Sequence, residues 1–480
     1  MIGRLQSRHA LLLLLVALSA CAAGPDYVRP TPSAAPPKAF REAADGLSTS
    51  GPVETRWWRL YHDENLDRLI GEAFAANTDL RVAQANLARA RAALDQARLA
   101  WETPQTSLAA GVTQGRSALT NFAAELDNTP PRVGTLDSAS FAAAYELDLF
   151  GGARRSAEAA HAGLGVAQAG LAAAKVSVAA DTAKAYAEAC AYGEAEVAAR
   201  GSLDIVRSER DVTRARLRLG AATDLDLARQ DALLSQTEAS LFQAEARRKS
   251  ALYALTVLTG RSPEAVDSGA AACVRPPELD QPIPVGDGVS LIRRRPDVRL
   301  AERNLALQTA EIGVATAALY PTITLGGQIS AGGANPAAAT HYGNVAFGFG
   351  PALSWSFPNI AVTRSEIAQA RASAKAALAN FDAAVLASLK DVETALATLQ
   401  GERQRNASLR DARDRLRDAY ALARVQYERG GLSVLDLLDT QRSLTAAESD
   451  LAASDLSRAD AETAVFRALG GGWEAAPPKP

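Results

Sequence analysis

The sequence predicts a mainly helical protein that also carries four membrane-type β-strands, with the whole plan written twice along one chain. Three observations carry that prediction. Apolar residues recur every seven positions through very long, alanine-rich stretches, the spacing of helices that pack along their length. Four segments of roughly ten residues alternate large apolar with small or polar side chains, as strands with one face in lipid do. The string Gly220–Leu227 returns as Gly430–Leu437, at an offset of 210 residues.

Composition narrows the function classes. The 480 residues are 48% hydrophobic, 22% charged and only 5% aromatic. With 51 basic against 54 acidic residues the net charge is −3, which offers no electrostatic case for a nucleic-acid partner. His9, His62, His161 and His341 lie far apart, and Cys21, Cys190 and Cys273 show no paired spacing. Local zinc or iron–sulfur motifs are therefore missing, and no metal or cofactor is expected. No GxxxxGKS/T, GxSxG or HExxH string occurs, so nothing points to an enzyme. Beyond the N-terminus no run of 18 apolar residues exists, which argues against transmembrane helices.

Residues 1–20 read as a signal peptide. Arg4 and Arg8 precede an apolar run, Ala10–Leu18, that is too short to span a bilayer. Leu18-Ser19-Ala20-Cys21 resembles a bacterial lipobox, whose cysteine is acylated and becomes the first residue of a lipoprotein. Cys21 is therefore expected to carry lipid, and two or more acyl chains anchor a protein stably. Ala22, rather than Asp, in the next position implies the outer membrane by the same resemblance. Residues 21–56, with Pro25, Pro30, Pro32, Pro36 and Pro37, read as an extended, lipid-anchored tether. Cys190 and Cys273 would meet an oxidising compartment. One sits in a helical stretch and the other in a linker; their pairing stays open, and both read as incidental.

Repeat 1 occupies residues 57–260 and repeat 2 residues 290–470, joined by a Pro- and Gly-rich linker at 261–289 and followed by a tail at 471–480. Matched positions support the duplication: Leu234 with Leu444, Glu238 with Glu448, Leu241 with Leu451, Gly260 with Gly470, and upstream Pro104 with Pro321 and Phe150 with Phe357. Each repeat reads as helix, two strands, long helix, hairpin helix. Residues 77–100 are helical and stop before Pro104. Thr106–Thr113 and Ser138–Phe150 alternate, placing Phe141, Ala143, Tyr145, Leu147 and Leu149 on one face. In repeat 2, Ile323, Leu325 and Ile329 oppose Thr322, Thr324 and Gln328. Val345, Phe347, Phe349, Leu353, Trp355 and Phe357 oppose small residues.

A soluble half-buried hairpin shows the same alternation; the lipobox and the size of the aromatics favour membrane strands. Four strands cannot close a barrel, for which about eight is the practical minimum. An open edge in lipid leaves backbone groups unpaired at several kcal/mol each. Several chains must then share one barrel, and three supply about twelve strands.

The long helical stretches are 153–219, about 100 Å at 1.5 Å per residue, and 363–429. Leu378, Val385, Val392 and Leu399 keep a seven-residue spacing, as do Leu227, Leu234 and Leu241, and Leu437, Leu444 and Leu451. Arg403, Arg405, Asp411, Arg413 and Asp414 read as a solvated face. Arg293-Arg294-Arg295-Pro296-Asp297 reads as a helix start, with Pro296 in the first helical position and Asp297 in the first turn.

The lipobox, Pro25-Asp26-Tyr27-Val28-Arg29-Pro30, Arg294-Arg295-Pro296-Asp297 and the duplicated Gly-x5-Asp-Leu hairpins together resemble one family. It is the TolC-like outer-membrane efflux proteins of the lipidated OprM/NodT type, and the resemblance runs from Cys21 to about Trp473. It implies a homotrimer with a shared twelve-stranded β-barrel in the outer membrane and a helical barrel of long antiparallel coiled coils across the periplasm. It implies an exit duct for small molecules or drugs, fed by an inner-membrane pump of the RND type through a periplasmic adaptor protein. It also implies that the chain catalyses nothing.

By the same resemblance a periplasmic gate lies at the hairpin glycines. Asp436 and Asp439 match aspartates that ring the closed aperture, while Tyr427 and Asp226 match residues that link neighbouring hairpins. Read on its own, Asp436 also suits a helix N-terminus. About six carboxylates in a narrow mouth would favour cations and respond to divalent ions and pH. Leu432 stands where a basic residue would bridge to the next hairpin, which leaves the latch of the closed state open. Two other readings remain: a protein-secretion duct of the same fold, and a structural coiled-coil lipoprotein, which leaves the strands without a purpose.

Overall fold

The structure is a computed structural model that describes residues 23–33, 35–43, 47–116, 133–357 and 360–472, with isolated positions between 125 and 130. The signal peptide, Cys21, Ala22 and the tail from Trp473 lie outside the described residues. The chain divides into two compact units. One gathers Met1–Pro30, Ala88–Val166 and Ala301–Asn380; the other gathers Thr31–Leu87, Ala167–Leu300 and Phe381–Pro480.

The principal helices are α1 (Glu64–Ala76), α2 (Thr78–Glu102), α3 (Gly152–Arg218), α4 (Asp224–Leu258), α5 (Pro296–Ala317), α6 (Ile360–Glu428) and α7 (Val434–Ala468). The duplication is plain in this order, since α3–α4 in the first repeat answer α6–α7 in the second. Helix α5 begins at Pro296, as its sequence requires. Alanine gives α3 an 18-residue window of mean hydropathy 1.3, although charged residues still interrupt any continuous apolar run.

In the first unit the strands β1 (Gln105–Gly115), β2 (Gly134–Leu147), β3 (Thr322–Gly333) and β4 (Val345–Ser354) form one antiparallel sheet in the order β1-β2-β3-β4. The strand pair of one repeat thus joins that of the other through β2 and β3. Two strands end sooner than their alternation predicts, which leaves Leu149, Phe150, Trp355 and Phe357 beyond the strand ends. At β2 the cause is local. The Leu149 N–H turns back to the Leu147 carbonyl, and the Asp148 carboxylate accepts from the N–H groups of Ala153 and Arg154 to start α3.

In the second unit the seven-residue spacing becomes core: Val385, Val392 and Leu399 of α6 and Leu437, Leu444 and Leu451 of α7 are buried, whereas Leu378, the first of the α6 row, is exposed. In α4 Leu241 of the predicted row is buried, but Leu233 takes the place of Leu234, which is half-buried like Leu227, because a helix of 3.6 residues per turn drifts from a strict seven-residue repeat. Trp57 stacks on Phe466 at 4.6 Å between ring centres. Tyr61 donates to the Glu462 carboxylate, which is fully buried and also holds Arg458 at 3.2 Å. Arg403 reaches the same carboxylate at 3.7 Å, so this member of the expected solvated face turns inward towards a buried charge.

The structure corrects three readings. The stretch from Ser33 to Glu42 is extended but not free: the N–H of Ser33 donates to Asp382, and those of Arg41 and Glu42 donate to Glu393. Phe40 and Leu47 enter the core. The linker is not a plain loop, for it carries a short helix, Ser268–Ala272, and Ile283–Pro284 pair in parallel with Ser48–Thr49. Cys190 and Cys273 are not incidental: they form a disulfide that bridges 83 residues of sequence. Arg248 secures the same linker through the carbonyls of Ala271 and Cys273.

Candidate functional site

The hairpin ends repeat one local design. Gly220 and Gly430 take φ of +72° and +77°, a conformation that L side chains avoid. After each glycine the next N–H closes a six-residue cap on the helix just ended: Ala221 to the Arg216 carbonyl at 2.8 Å, and Gly431 to the Gln426 carbonyl at 2.9 Å. The next helix is then capped by a hydroxyl. Thr223 accepts from the Asp226 N–H and donates to its carboxylate at 2.7 Å. Ser433 does the same with Asp436, again at 2.7 Å to the carboxylate. Thr223 and Ser433 are thus the capping residues; Asp226 alone also accepts from the backbone N–H of its cap, at 3.0 Å, which completes a capping box, and the Thr223 hydroxyl holds the Asp226 carboxyl below its ordinary range.

The other predicted gate residues fall as follows. Asp439 is exposed one turn beyond Asp436, with Arg442 at 3.6 Å. Tyr427 lies under Arg216 of the same chain, whose guanidinium carbon is 4.1 Å from the ring centre. Arg216 links the two hairpins of one chain, and the sequence reading missed it. A basic residue in the last turn of α3 was the available signal. Leu432, where a bridging base would stand, packs instead against the cluster of Tyr420, Ala423, Leu437 and Leu444.

Just behind the turns lies a cavity of about 320 Å3 lined by Glu209, Arg216, Gln230, Tyr420, Tyr427 and Leu437, among others. Gln230 is fully buried, and neither its amide nitrogen nor its oxygen has a partner. Tyr420 donates its hydroxyl to Glu209, whose carboxyl burial pushes above its ordinary value. Leu219, Leu225 and Leu435 are exposed around the turns.

The sheet register sorts the strand residues into two faces. Leu108 is opposite Phe141, Phe141 opposite Ile329, and Ile329 opposite Phe347, an apolar row across all four strands. The neighbouring row on the other face is Ser107, Ala142, Gln328 and Gly348. Phe347, Phe349 and Leu353 are exposed in the single chain, and β1 and β4 each keep one edge unpaired within it. Aromatic rings crowd the strand ends nearest the helices. Phe150 stacks on Tyr320 at 4.6 Å, and Trp355 lies 5.2 Å from Phe357. Trp and Tyr are enriched at membrane–water interfaces.

Two long helical hairpins, and a sheet with one apolar row and edges unpaired among the described residues, are the elements of a channel-forming membrane protein. A family model for outer membrane efflux proteins matches residues 69–261 and 289–471, nearly the two repeats. The chain belongs to the outer membrane efflux protein family. It is 30% identical over 478 residues to the pyoverdine export outer membrane protein OpmQ of Pseudomonas putida, covering 98% of this chain and 99% of that one. It is 28% identical over 462 residues to nodulation protein T of Rhizobium leguminosarum bv. trifolii, covering 95% of each. Among solved structures, the outer-membrane channel OprN matches with a TM-score of 0.83 at 30% identity, over 94% of this chain and 100% of that one. The protein is an outer-membrane efflux channel.

Proposed function

We propose that three copies of this chain close a twelve-stranded barrel in the outer membrane and form the exit duct of a tripartite efflux system. The row Leu108–Phe141–Ile329–Phe347 carries this reading. Its side chains belong in lipid, the small and polar face belongs in a water-filled lumen, and the unpaired edges of β1 and β4 must pair with other chains. A periplasmic adaptor and an inner-membrane pump of the RND type deliver the cargo. OpmQ is by its name a pyoverdine exporter, which supports compound efflux over protein secretion. Lipid on Cys21 anchors each chain.

The gate in this reading is the ring of Asp436 and Asp439 from three chains, with Asp436 in the first turn of the helix that Ser433 caps. Because the Ser433 hydroxyl caps the Asp436 backbone N–H, removing the carboxylate leaves that cap in place. Single-channel recording of the detergent-purified protein in planar bilayers tests the proposal. Discrete cation-preferring steps are expected, larger or more frequent in the Asp436→Ala/Asp439→Ala double variant. Silence from both folded proteins would sink the channel reading, and identical conductance and selectivity would sink the gate.

A further inference from the structure

The cavity behind the hairpin turns is lined by all four hairpin helices, with Glu209 and Arg216 from α3, Gln230 from α4, Tyr420 and Tyr427 from α6, and Leu437 from α7. At about 320 Å3 it has the size of a small-ligand site. Gln230 is fully buried, and its amide nitrogen and oxygen both lack a partner in the protein. One carboxylate oxygen of Glu209 accepts from the Tyr420 hydroxyl. The other is buried and likewise without a partner. Leaving such groups unmade is costly, and those three atoms describe what an occupant must offer.

Gln230 presents a donor beside an acceptor. The edge that satisfies both is a copy of its own, an N–H next to a C=O, as in a primary carboxamide, a lactam or a urea. The pairing holds for either orientation of the Gln230 amide, because neither atom is committed elsewhere. A second N–H on such a ligand suits the unpartnered Glu209 oxygen. Net charge does not suit the site. Arg216 and Arg424 line the cavity against a cation, and Glu209 and Glu428 line it against an anion. The remaining surface is apolar, from the Tyr420 and Tyr427 rings and from Ile205, Val212 and Leu437. Ile205 and Val212 are exposed in the single chain, which gives the cavity a mouth.

We propose that this cavity binds a small neutral molecule with an amide-type edge on an aromatic or apolar body. The edge pairs with Gln230, and the body lies among Tyr420, Tyr427 and Leu437. A ligand held there touches both hairpins and favours the packing in which they meet. The test reads binding to the folded protein, so the inference stands or falls apart from the channel reading.

The probe is benzamide, titrated calorimetrically into the purified full-length protein in detergent. A saturable heat with a dissociation constant in the millimolar range is expected of so small a ligand. Gln230→Leu offers neither donor nor acceptor and should weaken binding about tenfold. Gln441→Leu makes the same exchange at another buried glutamine, which lines a different cavity, and should bind as the wild type does. N,N-dimethylbenzamide, which has no N–H, should bind the wild type about tenfold more weakly than benzamide. Should Gln230→Leu fail to fold, Val212→Trp blocks the cavity from its exposed side, and the same loss is expected. Equal binding of the two probes would overturn the proposal. So would equal binding by wild type and Gln230→Leu, an equal loss in Gln441→Leu, or no saturable heat beyond partition into detergent.

Discussion

Arg216 and Tyr427 meet across the two hairpins of one chain, the guanidinium carbon 4.1 Å from the ring centre. Each stands within the last turn of its long helix, just before a turn glycine. Leu432, nearby in the turn, packs against Tyr420, Ala423, Leu437 and Leu444; in the proposed gate, the cation over the aromatic face would link the two hairpins.

A cation–π contact at a partly exposed site stabilises by about 0.5–1 kcal/mol. Arg216→Ala or Tyr427→Leu should therefore raise open probability about two- to fivefold, read as single-channel events or as uptake of a large antibiotic. The double variant should add little to either single one. Full additivity would mean that the two side chains act separately.

The sheet register predicts opposite tolerance on its two faces. Phe347→Arg puts a charge on the row assigned to lipid and should cost about 2–4 kcal/mol near the bilayer midplane. Ser330→Arg lies on the other face, opposite Ser140 and Ala346, and should leave assembly intact while lowering cation preference. Heat-resistant oligomer on a gel and reversal potentials in bilayers separate the cases. Equal tolerance of both substitutions would undo the assignment of the faces.

Gln230 is fully buried without a partner for either amide atom. Leaving such groups unmade costs about 1–3 kcal/mol. Gln230→Leu should therefore raise the denaturation midpoint and favour the packed arrangement of the hairpins seen here. A lowered midpoint would mean that the amide has a partner in the assembled protein.

The Cys190–Cys273 bridge ties the linker to α3 across 83 residues. Losing a cross-link of this loop length costs about 2–4 kcal/mol. The Cys190→Ser/Cys273→Ser variant should melt earlier yet conduct normally, because Arg248 still holds the carbonyls of Ala271 and Cys273. Reductant should lower the melting point of the wild type and leave the variant unmoved.

Burial raises the Glu209 carboxyl above its ordinary value of 4.5. Protons therefore bind this group more tightly in the folded state than in the unfolded one. Its stabilising contribution is complete below the ordinary value and is lost as pH rises through the raised one. Glu209→Gln keeps an acceptor for Tyr420 but carries no charge, so it should remove that pH-dependent loss. Unfolding curves across the mildly acidic to neutral range will show it; parallel slopes in both proteins would count against it.

Much of the site was legible in the chain. Gly220 and Gly430 announced the turns and Asp436 the start of the second hairpin helix, while the Thr223 and Ser433 hydroxyl caps, local as they are, went unread. The alternation around Phe141, Ile329 and Phe347 announced the faces of the sheet. Less legible were the strand ends past Leu147 and Ser354, where a turn overrides a pattern that continues in sequence. Also illegible was the partner that Tyr427 takes within its own chain, the Arg216 guanidinium of the other hairpin.

The sequence by itself determined the duplication, the helical and strand periods, the hairpin turns and the family. All of these are set by neighbours within a few residues, where side-chain period and turn chemistry act directly. Only the tertiary structure decided that Cys190 meets Cys273 across 83 residues and that Arg155 grips Gly24 across 131. It alone placed Arg216 over Tyr427. Contacts of that kind leave no period in the chain, because they depend on how packed helices bring distant residues together, and that packing is a property of the whole fold.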